Sequence, residues 1–543
     1  MKKLLPFSKY LILAILIYTP IFCSIEDLSI RQYDESRLAQ SAIEMSGSNN
    51  FIVVTFNNLP EMWSTKPPLM IWCQALCVKI FGVRELSIRL PSALATLFTC
   101  CLLVFVCHKY LKKPWLGFIT VLVLITTNGY VDEHATRTGD YDALLTLFLM
   151  GYCILFFIYS ETKSNKHLYL FFISLTMAVL TKGVAGLMFL PAVFLFAVIY
   201  KLAVPLLKNK HFYFGLGIFL FFVLGYYFLR EAKNPGYLNA VSQNELGGRF
   251  NEVNEGHTGD EWYYYNIIIK YFFTNWYLLI PCGVLIGLFH KDKVFVKFST
   301  LILISFLSFL IIISVAKTKL EWYAIPLYPL ASLLAAVFIY FIFNFLTEND
   351  LTKKALKLNT LPVIFLFLIF VNPYSKIISK TYMPEEYSWN KERYEVAYFF
   401  KDAIIGCYNL QNYFYLNEAY VAQDYFYLER LKQKGVNINR KNFWELAPGD
   451  HVMVAEASIK DYIAKNYEAN VEFTKNHIVL YKIIGRNVTD GVAARVKALK
   501  AELQSNKKWL NELIEKSKKR NIPLDSCINQ DIRWLIEQET QKK

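Results

Sequence analysis

The chain has 543 residues, 55% of them hydrophobic and only 19% charged, with mean hydropathy +0.29. A soluble protein of that length needs far more polar surface, so the bilayer is the first solvent to consider. The net charge of +14 does not call for nucleic acid, because much of the excess falls in loops between apolar runs and in a basic tail, where membrane topology and headgroup attraction account for it.

Apolar runs of the roughly 20 residues that cross a bilayer recur from Leu11 to Val371. They predict a mainly α-helical, multi-pass bundle of about 11 to 13 spans, with eleven placed near 9–24, 88–107, 114–128, 142–160, 167–181, 184–203, 212–229, 271–289, 297–315, 322–346 and 358–372. Lys2 and Lys3 argue for a cytoplasmic N-terminus. The even-numbered connections then carry the basic residues, from Lys109, Lys112 and Lys113 through Lys163 and Lys166, Lys201, Lys208 and Lys210, and Lys291, Lys293 and Lys297 to Lys353, Lys354 and Lys357. The odd-numbered loops and everything after Asn372 face outward on this reading. Pro-Ile-Phe ahead of Cys23 lacks the small residues of a cleavage site, which favours a retained first helix over a signal peptide. Eight of the ten cysteines, Cys23 to Cys282, lie in or beside apolar segments without regular spacing and read as small hydrophobes. Cys407 and Cys527 lie in the exported part, where an oxidising compartment would let them pair.

Three regions are expected: a transmembrane domain at 1–375 with long outer loops at 25–87 and 230–266, an exported α/β domain at 376–487, and a basic helical tail at 488–543. The first loop predicts an amphipathic helix around Ser36–Met45, an Asn-rich irregular stretch, and a short helix after Pro67-Pro68. The second loop, rich in glycine around Glu245-Leu-Gly-Gly-Arg-Phe250, reads as a lid or as a simple connection. After Asn372-Pro373 the pattern alternates: helix near 391–404, strand Tyr413–Leu416, helix near 418–433, strand Val436–Ile438, strand His451–Ala455, helix near 459–467, strand Ile478–Ile484.

Charged residues gather on the outward side. Asp34 and Glu35, followed by Arg37, are adjacent acids that suit a cation or a base, or merely start a helix. Lys66 precedes Pro67-Pro68, whose rings restrict the backbone, so its ammonium is placed for a phosphate; a snorkelling lysine is the plainer reading. Arg89 lies just inside the second span, and Arg137, Asp140 and Asp142 stand where the fourth begins; an acid heading an apolar helix is costly unless its site is functional. Lys182, Lys317 and Lys319, with Tyr323 beside them, sit in tight outer turns against the topology rule. Together with Lys66 they would surround an anionic ligand.

In their order, Tyr33-Asp34-Glu35-Ser-Arg37, Lys66-Pro67-Pro68-Leu69, Gly82–Glu85, Arg89-Leu-Pro-Ser92, Arg137–Asp142 with Leu144-Leu145, Lys182-Gly183 with Pro191, and Lys317–Pro329 resemble the bacterial lipid A aminoarabinose transferases (ArnT) and the wider protein O-mannosyltransferase-like group of GT-C membrane glycosyltransferases. The resemblance implies a sugar donor linked to undecaprenyl phosphate, a lipid, glycan or protein acceptor such as lipid A, and inverting transfer at the periplasmic face of a bacterial inner membrane. It implies Asp34 as the catalytic carboxylate of the first loop and Asp142 as the second acidic position, with Glu35 and Asp140 beside them. Lys66 would hold phosphate with Arg37, Arg89, Arg137, Lys182, Lys317, Lys319 and Tyr323 nearby, and a divalent metal ion would lie between Asp34 and Asp142. Two departures stand out: Thr65 occupies a place where many relatives carry an acid, and Asp140 is an extra carboxylate, so the choice between it and Asp142 stays open. A flippase of lipid-linked sugars is the alternative, but it predicts mid-membrane charges and internal repeats that the sequence lacks. A membrane-anchored scaffold would tolerate loss of the loop acids.

Overall fold

The computed structural model describes residues 5–48, 50–247, 256–348, 361–391, 393–418, 422–487, 491–520 and 524–541. Lys2, Lys3, Lys353, Lys354, Lys357 and the 248–255 stretch of the second loop lie outside that set.

Among the described residues, seven helices are long and apolar enough to cross a membrane: Glu85–Lys109, Asp142–Thr162, Asn165–Leu187, Lys210–Lys233, Lys293–Val315, Leu327–Thr347 and Leu361–Tyr382. The other four expected spans appear as shorter apolar helices, Lys9–Phe22, Pro114–Ile125, Leu190–Ile199 and Leu279–Leu288. Local chemistry ends them early. After Ile125, the Thr126 and Thr127 hydroxyls donate to the Leu122 and Val123 carbonyls and turn the chain out of the helix.

The chain divides into two compact units, the first made of Met1–Leu28, Ser64–Cys77 and Leu86–Glu385. Its apolar core runs continuously through the helices, and the Leu327–Glu348 helix packs against Pro114–Ile125, Leu279–Leu288, Lys293–Val315 and Leu361–Tyr382. The Asp142–Thr162 helix is interior, with 78% of its apolar window buried, whereas Lys210–Lys233 is peripheral at 17%. Residues such as Phe214 and Phe221 are turned outward there, as a lipid-facing helix requires. The Asp142–Thr162 and Asn165–Lys182 helices form a tight antiparallel pair, closed by Lys163 in the left-handed conformation. The last apolar helix runs through Pro373 to Tyr382, past the composition change that marks 375/376 in the sequence.

The second unit gathers Ser29–Trp63, Val78–Glu85 and Glu386–Lys543. Its centre is a five-stranded sheet in the order 439–440, 413–416, 451–454, 478–486, 467–475. The first three strands are mutually parallel and the last two antiparallel, so the 413–416 strand lies between two parallel neighbours. Sequence periodicity finds the strands at 413–416, 451–454 and 478–486, places at Val436–Ile438 the strand that forms at Asn439–Arg440, and misses Tyr467–Lys475, whose edge position leaves most of its residues exposed on both faces and removes the alternation that would reveal it. The first-loop helix runs Asp34–Gly47 and packs on the Ala422–Gln433 helix of the same unit. The Asn-rich stretch forms a hairpin whose two turn residues, Asn57 and Asn58, both have positive φ, as a primed turn demands. The tail forms three helices, Gly491–Ser505, Lys507–Arg520 and Leu524–Gln541, which share small apolar cores built on Leu499, Leu503 and Leu513. Cys407 and Cys527 are both free thiols, the first exposed and the second buried.

Candidate active site

In the first unit, the antiparallel helix pair brings Asp142 and Lys182 to one end. Asp142 is the first residue of its helix and Lys182 the last of the next, so each charge sits at the dipole end that favours it. Lys182 Nζ donates to both Asp142 oxygens at 2.6 and 2.7 Å, and both side chains are buried. The ammonium also lies 5.4 Å from the centre of the Tyr323 ring. Gly183 closes the helix at φ 56°, where a side chain would be strained, and its missing Cβ would meet Pro67 at 3.8 Å. The Lys182 turn and the Lys66-Pro67 segment are therefore neighbours.

Asp140 is held differently. Its Oδ2 accepts from His134 Nδ1 at 2.7 Å, its Oδ1 accepts the Tyr141 N–H at 2.7 Å, and Ser92 Oγ donates to its carbonyl. Burial pushes the Asp140 carboxyl up, but the His134 contact, the Lys182 charge and the Tyr141 N–H outweigh it and leave it below the usual carboxylate range. His134, itself at positive φ, lies flat on Trp322 with ring centres 3.8 Å apart. Gly139 has no room for a Cβ, which would sit 2.6 Å from the Ile88 carbonyl; this close approach lets Gln74 Nε2 donate to both the Ile88 and Gly139 carbonyls.

Lys66 is reached from the second loop. The Tyr237 hydroxyl donates to the Thr65 carbonyl at 2.7 Å, and Glu245 Oε1 lies 3.6 Å from Lys66 Nζ, which is also 5.5 Å from the Tyr141 ring centre. Tyr237 is itself fixed: its ring stacks on Tyr227, the Arg230 guanidinium lies 4.9 Å from its centre, and Glu231 accepts the N–H groups of Gly236 and Leu238.

Arg89, Arg137 and Lys319 donate to backbone carbonyls. Arg89 donates to the Ile25 and Leu28 carbonyls, and Arg137 to those of Pro20, Cys23 and Ser24, so the two guanidiniums close the exit of the first helix. Burial and the neighbouring Arg89 charge bring Arg137 down to about 10 against the opposing pull of Asp132 and Asp27, still cationic at neutral pH. Lys319 Nζ donates to the Ser314 and Ala316 carbonyls at the end of the Lys293–Val315 helix, while Lys317 is exposed.

Asp34, Glu35 and Arg37 belong to the second unit. Asp34 opens its helix with an exposed side chain. Glu35 is buried and accepts the Arg31 N–H at 2.7 Å, a local cap, and Arg37 Nε donates to the buried Glu61 at 2.6 Å. For the expected divalent ion, Asp142 does not present a free carboxylate, because Lys182 occupies both its oxygens. His134, Trp322, Tyr237, Glu61 and Glu245 are the residues that sequence reasoning passed over. A lone histidine or tyrosine in an aromatic-rich chain carries no signal of its own.

Residues 65–227 match the family model described as dolichyl-phosphate-mannose-protein mannosyltransferase. The chain is 26% identical over 368 residues to an uncharacterised protein of Aquifex aeolicus, covering 67% of this chain and 68% of that one. It is 27% identical over 312 residues to the undecaprenyl phosphate-alpha-4-amino-4-deoxy-L-arabinose arabinosyl transferase of Shewanella sediminis, covering 56% of this chain and 54% of that enzyme, about half its length. Among solved structures, ArnT from Cupriavidus metallidurans bound to undecaprenyl phosphate superposes with TM-score 0.63 at 14% identity, over 89% of this chain and 98% of that one. Its apo form gives 0.61 at 15%, over 89% and 97%. The fold is that of ArnT, a GT-C helical bundle with a C-terminal sheet domain, and the chain is similar to this group of multi-pass membrane glycosyltransferases.

Proposed function

We propose that this chain, similar to ArnT in fold and in the order of its motifs, transfers a sugar from a donor linked to undecaprenyl phosphate to a lipid or glycan acceptor at the periplasmic face of a bacterial inner membrane. The observation that carries the reading is the Lys66 segment: a lysine ahead of two prolines, its preceding carbonyl held by Tyr237, beside a Lys182 turn whose charge Asp142 already balances. An incoming phosphate would compete for the Lys66 ammonium with Glu245, 3.6 Å from it.

In this reading the bond from the anomeric carbon to the phosphate oxygen breaks, and the electron pair leaves with the phosphate. Lys66 stabilises the charge that grows there, an interaction stronger in the transition state than in the ground state. The acceptor oxygen forms the new bond from the opposite side, and Asp34 takes its proton when the acceptor is a hydroxyl. A phosphate acceptor needs no such base. No step is assigned to a metal ion.

The test uses full-length protein in membrane vesicles and the lipid-linked sugar fraction extracted from cells lacking the protein. Asp34→Ala and Lys66→Ala should each lower transfer by about 100-fold or more. Full activity in both variants overturns the assignment. Mass spectrometry of lipid A and surface glycans from the same deletion cells identifies the acceptor.

A further inference from the structure

We infer that the C-terminal part of the second unit fixes the position of Asp34, and that the Arg31–Glu386 pair is a positioning pair for the transfer reaction. This rests on the reading of Asp34 as the reacting carboxylate.

The five residues that lead into Asp34 are each tied to groups some 350 to 400 positions away in sequence. The Ser29 N–H donates to the Tyr398 hydroxyl at 3.3 Å and the Ile30 N–H to the Tyr427 hydroxyl at 3.0 Å, while Gln423 donates to the Ile30 carbonyl. Arg31 forms a two-pronged bond to Glu386, at 2.9 and 2.5 Å, with its guanidinium 4.3 Å from the Tyr394 ring centre. Tyr398 donates to the same Glu386 carboxylate at 2.7 Å. The Gln32 N–H donates to the Tyr394 hydroxyl, and Arg393 donates to the Gln32 side chain at 2.6 Å. The Arg393 guanidinium then lies 5.1 Å from the centre of the Tyr33 ring.

Tyr33 itself has φ 66° and ψ −101°, a backbone conformation that a residue with a bulky side chain avoids. Such strain persists only where the surroundings over-determine it, and it clusters at functional sites. Here it falls on the residue immediately before Asp34, whose own side chain is exposed. Glu35 closes the arrangement from the other side by accepting the Arg31 N–H. A planar, bidentate Arg–carboxylate pair, with side chains only 8% and 7% exposed, gives geometric specificity that a water-exposed contact would not. The chain fixes the backbone of an exposed acid through residues 355 to 397 positions further on, and a carboxylate that acts as a base needs its place held in this way.

The experiment measures steady-state transfer by full-length protein in vesicles, with the lipid-linked sugar fraction extracted from deletion cells. Glu386→Gln should lower kcat by about 10- to 100-fold and leave KM for the donor within about twofold, because donor binding does not pass through Asp34. The exchange Arg31→Glu with Glu386→Arg should recover a large part of the loss. On an Asp34→Asn background, Glu386→Gln should lower the residual rate no further, since a positioning pair has nothing left to position. Wild-type kcat in Glu386→Gln, or a loss that multiplies undiminished on the Asp34→Asn background, overturns the inference while leaving the enzyme assignment in place. Full activity of Asp34→Asn itself would instead remove the reading on which both stand.

Discussion

The two units hold their key carboxylates by opposite means. Asp142, at the head of an interior apolar helix, is 2% exposed and has both oxygens closed by Lys182. Asp34 is exposed, and it is the backbone before it that is held, by Arg31–Glu386 and the Tyr394, Tyr398 and Tyr427 hydroxyls. A charge buried in low dielectric must be neutralised before the helix can exist at all, so the bundle solves an electrostatic problem. An exposed charge is content with water, so the second unit solves a geometric one. Loss of the partner should therefore strike folding in the first unit and turnover in the second.

The largest expected effect tests the electrostatic half. Lys182→Ala leaves Asp142 buried and uncompensated, and should cost about 3 to 5 kcal/mol of stability, read as thermal unfolding in mild detergent. Lys182→Met combined with Asp142→Asn should restore most of it, because removing both charges avoids the penalty. Exposed Lys317→Ala should stay within about 0.5 kcal/mol of the parent. If Lys182→Ala unfolds no earlier than Lys317→Ala, the contrast between the units fails.

Glu85 is one of the second unit's own buried carboxylates, fully covered and bonded to Arg430, to Lys401 at 3.2 Å and to the Tyr427 hydroxyl at 3.1 Å. Glu85→Ala should cost about 3 kcal/mol, at the lower end of the range for a broken buried pair. The cations left behind are only partly buried, with side chains 22% and 20% exposed, and water can reach them. A loss larger than that of Lys182→Ala would mean that the second unit depends on buried charge as strongly as the bundle does.

What the sequence made legible follows the range of the physics involved. Hydropathy located eleven of the apolar helices because the bilayer acts on each segment separately, whereas apolar Leu69–Phe81 was expected only as a short helix after Pro67-Pro68. The Tyr413–Leu416 strand and the Asp34–Gly47 helix were readable from local periodicity. The Arg31–Glu386 and Glu85–Arg430 pairings were not, since these partners lie 355 and 345 residues apart and nothing local announces them. Nor could the sequence separate cations that bond backbone carbonyls from those that do not. Arg89, Arg137 and Lys319 carry the same charge as Lys66, and only the positions of the Leu28, Cys23 and Ala316 carbonyls reveal what they do.

A smaller effect probes buried charge in the second unit through pH. Asp424 is buried beneath Tyr415 and Asn417, which both donate to its Oδ2. Burial pushes its carboxyl from the usual 3.8 up to about 6, with Glu456 adding to the rise and Tyr415 and Arg440 opposing it. The folded state thus holds this proton more tightly than the unfolded chain does. Stability from this group is full below pH 4 and falls as pH rises through 6, by on the order of 2 to 3 kcal/mol. Asp424→Asn should flatten that part of the stability profile between pH 4 and 6.5, measured by thermal unfolding; an unchanged slope would assign the titration elsewhere.

The smallest expected effect returns to Lys66. Its segment accepts a neutral hydrogen bond, from the Tyr237 hydroxyl to the Thr65 carbonyl, where the backbone before Asp34 has a charged network. Tyr237→Phe keeps the ring beside Tyr227 and Arg230 and removes the hydroxyl that bonds the Thr65 carbonyl and Tyr226, so stability should fall by about 1 kcal/mol. On the proposal that Lys66 holds the donor phosphate, the kinetic change should appear as a rise of about threefold in KM for the donor, at nearly constant kcat. Glu386→Gln is expected to move the other parameter, kcat, and to move it further. If Tyr237→Phe lowers kcat as deeply as Glu386→Gln does, then the bundle positions reacting groups by geometry as well, and the division of labour between the units would have to be withdrawn.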